Sequence, residues 1–182
     1  GDAFVLHGRQ AHGYRNTADL ELVNILFRLD ELGIPLQDIL SLPGYHALFM
    51  LEPLFRQRDR FESRLRLAPD ELQHAAEMIA RMERESESRV SGWRFAMVAC
   101  FMLLMGDLCR CYSRAEYPAA QPLLRLGRVL GHLEQHYRDP IVLDELAEVG
   151  EISRRTLTRE FRRALGCSPI EYLIRLRINH AV

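Results

Sequence analysis

The chain opens with short apolar runs and continues with apolar residues at helical spacing. Phe4–Leu6 is the first run, and a second extends from Leu20 to Leu29 after a turn-rich stretch. Short apolar runs bounded by turn residues are typical of strands, so the pattern predicts strands within residues 1–30. Two or three strands do not make a stable sheet alone. Either they pack on the later part of the chain, or the rest of their sheet lies outside this sequence.

Residues 31–68 show no sustained period and are predicted to be irregular. Leu36–Ser41 has the pattern of a single helical turn, which Pro43-Gly44 is expected to break.

Two helices are predicted over residues 69–113. The first starts at Pro69, which two acidic residues follow, as is usual in a first turn. Ser91-Gly92 separates it from the second, which runs from Trp93 to about Tyr112 and is apolar nearly all round in its first half. Such a helix is buried on several sides, either at the centre of the fold or in a subunit interface.

The segment 117–122 contains Pro118 and Pro122 and predicts a linker between a domain at 1–116 and a domain at 123–182. In the second domain, helices are predicted at about 123–137, 143–149, 153–165 and from Pro169 to the end. Ser153 is a suitable N-cap for the third of these helices, and Gly166 is suited to end it.

Gly150-Glu151-Ile152 separates the second and third of these helices, which is the spacing of a helix-turn-helix. In the third helix, Leu157, Phe161 and Leu165 are four residues apart and share one face. The opposite face carries Arg155, Thr158, Arg159 and Arg162, with Arg154 and Arg163 at its edges.

This arginine-rich face has the chemistry of a surface that reads DNA. Arginine makes bidentate hydrogen bonds to guanine in the major groove, and arginines at the edges reach phosphates. Residues 1–122 hold 14 arginines and 17 acidic residues, a net charge of −3, whereas residues 123–182 hold 10 and 8, a net charge of +2. An arginine-rich face on an isolated helix is most often solvated surface. Its place as the second helix of a tight pair favours DNA binding.

Other chemistry is not indicated. The four cysteines form no CxxC pair, which favours reduced thiols in a cytoplasmic protein. No nucleophile motif, phosphate loop or metal-ligand set is present, so we expect no enzyme activity, cofactor or metal. No signal peptide is recognisable. The longest apolar run, between Arg94 and Asp107, is shorter than the roughly 20 residues of a bilayer span.

A set of motifs extends from about Leu126 to the end of the chain: Leu143-x-x-Leu146-Ala147, Ser153-x-Arg155-x-Leu157-x-Arg159-x-Phe161, Gly166-x-Ser168-Pro169-x-x-Tyr172-Leu173, Arg177 and Ala181. This set resembles the DNA-binding domain of the AraC/XylS family of bacterial transcription regulators.

The resemblance implies a recognition helix at about 153–165, with Arg155, Thr158 and Arg159 facing bases. Arg154, Arg162 and Arg163 would contact phosphates or flank the site. It also implies that the helix from Pro169 connects to a second helix-turn-helix. Val142 and Glu151 depart from the family pattern, which commonly has a capping Ser or Thr and a glycine at these positions.

Near the start, Gly1, His12 and Asn16 match the second cupin motif, although His7 and Arg9 replace its proline and second glycine. Many members of the family carry an N-terminal cupin-like barrel that binds a small effector, often a sugar. The resemblance therefore implies an effector site that includes His12 and Tyr14. The first cupin motif is absent, so we expect the chain to be truncated at both ends. A cupin metal enzyme would need three or four His/Glu ligands, which the sequence does not show.

By the same resemblance, the helices at 69–113 form a dimerisation pair, with the interface at Phe95, Val98, Met102 and Met105. Burial against the protein's own barrel is the alternative. The expected fold is α+β and mostly α: a remnant of a cupin-like β-barrel, a two-helix dimerisation unit, and a helix-turn-helix subdomain with a connector helix.

The expected function is sequence-specific binding of double-stranded DNA by a cytoplasmic homodimer. The regulator would respond to a small-molecule effector such as a sugar, with RNA polymerase as a further partner and no membrane contact. A helical protein–protein interaction module without DNA binding is the alternative.

Overall fold

The computed structural model describes residues 1–7, 13, 18–34, 36, 38–59 and 64–181. Most of these residues are helical. The α-helices are α1 Leu29–Leu32, α2 Pro43–Tyr45, α3 Glu52–Asp59, α4 Pro69–Ser88, α5 Trp93–Ser113, α6 Gln121–His136, α7 Leu143–Val149, α8 Arg154–Leu165 and α9 Pro169–Asn179. A 3-10 turn, Ile39–Ser41, precedes α2, and a π-helical segment, His46–Leu51, joins α2 to α3.

Of the strands predicted within residues 1–30, only β1, Asp2–Ala3, is formed in the described part of the chain, and it pairs antiparallel with β2, Leu65–Arg66. The apolar run at 20–28 is not a strand. Phe27 packs on Phe101 with ring centroids 4.8 Å apart, whereas Leu26 is 97% exposed. The run alternates as a strand does, but no described strand lies beside it to bond its backbone. The remnant of a cupin-like barrel stays a prediction.

The prediction that residues 31–68 are irregular is wrong for residues 43–59. The predicted turn within Leu36–Ser41 is confirmed as the 3-10 turn, which ends before Pro43 as expected, with Leu42 extended. Pro43 then occupies the first position of a new helix, where the missing N–H would have no partner in any case. The helix then widens into its π-helical segment, which ends two residues before Pro53. Proline cannot donate to the preceding turn, and its ring crowds the carbonyl four residues earlier. A wider turn relieves this crowding.

The predicted helix pair at 69–113 is confirmed as α4 and α5. In α4, Glu71 accepts a hydrogen bond from the Ala68 N–H at 2.9 Å and so caps the helix N-terminus. Arg89 and Gly92 both adopt positive φ angles, which end α4 and allow α5 to begin. The two helices pack side by side, and both contribute to the core.

The 43–59 helix lies against α5 and α6 at glycines. A Cβ on Gly44 would overlap the backbone carbonyl of Cys109 in α5, and a Cβ on Gly127 would overlap the carbonyl oxygen of Pro43. One on Gly131 would lie 3.0 Å from the Ser41 oxygen. The three helices can approach this closely only because these positions lack side chains.

The four helices predicted at the C-terminal end are confirmed as α6 to α9; α6, α7 and α8 have bounds within two residues of those expected, and α9 ends at Asn179 rather than at the end of the chain. The predicted linker at 117–122 contains a turn, in which the Ala120 N–H donates to the Tyr117 carbonyl at 3.0 Å, and α6 begins at its end. The domain boundary stays a prediction, because α6 packs against residues 39–51 as well as against α7 and α8.

Among the described residues, α5 alone is long and apolar enough to cross a bilayer by length and composition. The core helix of a soluble protein can pass the same test. Cys100, Cys109 and Tyr112 of α5 are each at most 3% exposed.

Candidate DNA-binding surface

Helix α8 is held at its start by the predicted cap. The Ser153 hydroxyl accepts a hydrogen bond from the Thr156 N–H at 3.2 Å. At the other end, Gly166 adopts a φ of +74°, and its N–H donates to the Arg162 carbonyl. Both ends of the helix are therefore fixed by local hydrogen bonds.

The predicted core face of α8 is buried at Leu157 and Phe161 and partly buried at Leu165. Leu157 and Phe161 are 0% exposed, and they pack with Leu146 and Ala147 of α7 in one core. The Phe161 ring meets Tyr172 of α9 edge to face at a centroid distance of 5.7 Å. Burial of this face fixes which side of α8 is presented to solvent.

The turn between α7 and α8 closes through the Ile152 N–H, which donates to the Ala147 carbonyl at 3.0 Å. Glu151 has a φ of +52°, which is the conformation that favours glycine. Its carboxylate pairs with Arg128 of α6 at 3.0 Å. Val142 precedes α7 without a side-chain cap. At both positions the chain still forms α7, a closed turn and α8.

The exposed face of α8 forms an open depression of about 570 Å³. Its lining residues are Arg154, Arg155, Thr158, Arg159 and Arg162. All the residues predicted to contact bases therefore share one face, together with two of the three predicted to contact phosphates.

The arginines of α8 differ in their ion pairs. Arg154 pairs with Asp144 of α7, and Arg159 pairs with Glu160 at 2.9 Å. Within the described part of the chain, Arg155 and Arg162 have no carboxylate in ion-pair range. Because exposed pairs contribute only about 0–1 kcal/mol, the pairing of Arg159 is a small obstacle to DNA contact.

Arg163 lies beside this face rather than on it. Its guanidinium carbon is 5.5 Å from the centroid of the Phe55 ring in α3, and its Nη1 is 3.8 Å from Glu160. The sequence did not predict this contact, because residues 43–59 were assigned to an irregular region.

Helix α9 is tied to α6. The Arg177 guanidinium donates to the Tyr137 and Asp139 carbonyls at 2.6 and 2.7 Å, just beyond the end of α6. The Tyr172 hydroxyl donates to Glu134 at 3.1 Å, while burial raises the pKa of that carboxyl. On the opposite side of α9, Ile174 and Ile178 are 50% and 57% exposed.

The predicted dimer residues recur at helical spacing on one side of α5, but they differ in burial. Phe95 is 82% exposed, and Val98 and Met102 are partly exposed, but Met105 is 4% exposed and belongs to the core of the protomer. Leu103, which was not predicted, is 55% exposed. The apolar surface of α5 is therefore formed by its first half.

His12 and Tyr14, the predicted effector residues, lie outside the described residues. Two buried polar side chains that the sequence reasoning missed, Glu52 and His46, lie at the two ends of the π-helical segment. Glu52 is 0% exposed and accepts a hydrogen bond from the Tyr112 hydroxyl at 2.9 Å. His46 is also 0% exposed, and burial lowers its pKa to about 4. In the sequence, His46 and Glu52 flank the apolar run 47–51, and this pattern could have indicated buried polar side chains.

Comparison with known proteins finds relatives among bacterial transcription activators. The chain is 27% identical over 186 aligned positions to the HTH-type transcriptional activator RhaR of Escherichia coli and of Shigella boydii serotype 4, and 26% identical to RhaR of Escherichia coli K12. Each alignment covers 100% of this chain and 61% of the relative, so the chain spans less than two thirds of the relatives' length. No protein-family model and no solved structure matches the chain.

Proposed function

We propose that this chain belongs to a sequence-specific DNA-binding transcription regulator of the AraC/XylS type, and that α8 is its recognition helix. The observation that carries the proposal is the division of α8 into two faces. Leu157 and Phe161 are fully buried, while Arg155 and Arg159 are exposed on the other side. The similarity to an HTH-type transcriptional activator, which covers all of this chain and 61% of the relative, supports a regulator rather than an enzyme.

In this proposal the exposed face of α8 enters the major groove. Arg155 and Arg159 donate hydrogen bonds to guanine edges, and Thr158 contacts a neighbouring base. Arg154, Arg162 and Arg163 contact phosphates on either side, which gives affinity without sequence information. Arg155 is ready for this role, because no described carboxylate holds it.

A homodimer is the proposed working form. Phe95, Val98, Met102 and Leu103 leave an apolar surface on the first half of α5, and contact between two copies would remove this surface from water. Phe95→Glu is expected to convert the dimer to a monomer in sedimentation equilibrium. Met105→Glu would instead unfold the protomer, because Met105 is part of its core.

The remaining parts of the proposal concern control. A small-molecule effector such as a sugar would bind the N-terminal part and shift the protein between states that differ in DNA affinity. The exposed isoleucines of α9 are consistent with a connector helix that has a further apolar neighbour, as a second helix-turn-helix would provide. Such a regulator would act in the cytoplasm and meet RNA polymerase at the promoter.

The test is DNA binding by the full-length protein to the region upstream of its own gene, at two salt concentrations. Arg155→Ala and Arg159→Ala are each expected to weaken the free energy of binding to the specific site by about 1–3 kcal/mol. Their binding to unrelated DNA should stay nearly unchanged. Arg84→Ala, which removes an exposed arginine of α4, is the matched control and should bind as wild type. If all three variants behave alike, the proposal fails and α8 is solvated surface of an interaction module.

A further inference from the structure

Helix α3 touches both ends of the chain. The guanidinium of Arg56 lies over the ring of Phe4, next to β1, at 5.5 Å. The preceding residue, Phe55, presents its ring to the guanidinium of Arg163 in α8, also at 5.5 Å. One turn of α3 therefore connects the N-terminal strand with the helix proposed to read DNA.

Phe55 is held in place by groups around it. Glu52, one turn earlier, is fully buried between the Tyr112 hydroxyl at 2.9 Å and the guanidinium of Arg56 at 3.5 Å. The start of the same helix is fixed against α5 and α6 at Gly44 and Gly127. Since α3 is anchored in this way, Phe55 cannot follow the Arg163 side chain towards a ligand.

Arg163 occupies a small cage in the free protein. The aromatic face of Phe55 lies on one side of its guanidinium, and the Glu160 carboxylate lies 3.8 Å away. Its side chain is still 53% exposed, so the cage holds the charge without burying it. A cation over an aromatic face is stabilised electrostatically, and leaving that face has a cost.

We propose that Phe55 restrains DNA affinity by holding Arg163 in this cage, from which Arg163 must move to reach a phosphate. The inference rests on the proposed function of α8. The restraint is built into the fold, because α3 stays in place and only the Arg163 side chain moves when it leaves the Phe55 ring.

The test is a double-mutant cycle on the full-length protein, with binding measured over a range of salt concentrations. Phe55→Leu keeps the apolar volume but removes the aromatic face, so it is preferred to Phe55→Ala. We expect it to bind DNA about two- to fivefold more tightly, at specific and unrelated sites alike. Arg163→Ala is expected to reduce the salt slope by about one, and adding Phe55→Leu to it should change nothing further.

The outcomes separate this inference from the proposed function. If wild type binds its site, Arg155→Ala weakens that binding, and Phe55→Leu binds no more tightly than wild type, the cage is refuted and the DNA-binding role stands. If Phe55→Leu tightens binding equally in the Arg163→Ala background, the effect comes from packing and the cage is also refuted. If wild type shows no binding that depends on Arg155, both proposals fall.

Discussion

Gly127→Ala tests whether α6 is locked against the 43–59 helix. An added methyl at Gly127 would overlap the Pro43 carbonyl oxygen, and it would lie 3.1 Å from the carbonyl carbon and 3.3 Å from the Cα of the same residue. All three are backbone atoms, so no side chain can rotate away. The two helices would have to separate.

The magnitude follows from two opposing effects. Alanine is favoured over glycine inside a helix by roughly 1 kcal/mol. Overpacking against a fixed neighbour costs about 1–3 kcal/mol, and at Gly127 the clash with backbone places the cost at the upper end of that range. We expect the free energy of unfolding to fall by about 1–2 kcal/mol, which for a chain of this size lowers Tm by about 2–8 °C.

The assay is urea unfolding followed by circular dichroism, with Gly106→Ala as the matched control. A Cβ at Gly106 of α5 would meet only the flexible end of the Arg110 side chain, at 3.4 Å or more. This variant is therefore expected to be more stable than wild type by up to about 1 kcal/mol. If both variants gain stability, α6 is not closely packed on Pro43, and the reasoning about a rigid junction is refuted.

Three further predictions concern stability. The pKa of His46 is about 4 in the folded protein against 6.5 when unfolded, so the free energy of unfolding should fall as the pH drops from about 6.5 to 4, by roughly 3 kcal/mol in total. His46→Asn should remove this slope in urea titrations at pH 7 and pH 4.5, and an unchanged slope would contradict burial of a neutral imidazole. Ser153→Ala should lower the free energy of unfolding by about 1 kcal/mol, because it removes the side chain that caps α8. Stability equal to that of wild type would mean that the cap contributes nothing. Glu151→Gly should change stability by less than about 1 kcal/mol, because relief of the positive φ offsets loss of the exposed Arg128 pair; a large loss in thermal unfolding would show that this pair matters more.

Helix α8 could be predicted from sequence because its signals are local. Ser153 caps α8, Gly166 ends it, and the four-residue spacing of Leu157 and Phe161 assigns its buried face. Each signal acts within a few residues, so it can be recognised without knowledge of the tertiary structure.

The 43–59 helix could not be predicted in the same way. Pro43 and Gly44 suggest a break, but here the proline begins a helix and the glycine permits contact with α5. The role of the glycine depends on Cys109, a distant neighbour, whereas the same proline signal is compatible with both a break and a helix start. The ring contact between Phe55 and Arg163 likewise joins residues far apart in the chain. The same reason explains Met105, whose apolar character suited an interface as well as the core in which it lies.

The most direct test of the central claim is guanine methylation interference on the upstream DNA site. Methylation at N7 blocks a bidentate arginine contact in the major groove. With wild-type protein, we expect methylation of a few guanines to prevent binding. With Arg155→Ala, one of these guanines should no longer matter, and with Arg159→Ala a different one. If all three proteins give the same interference pattern, Arg155 and Arg159 do not contact bases, and α8 is not the recognition helix.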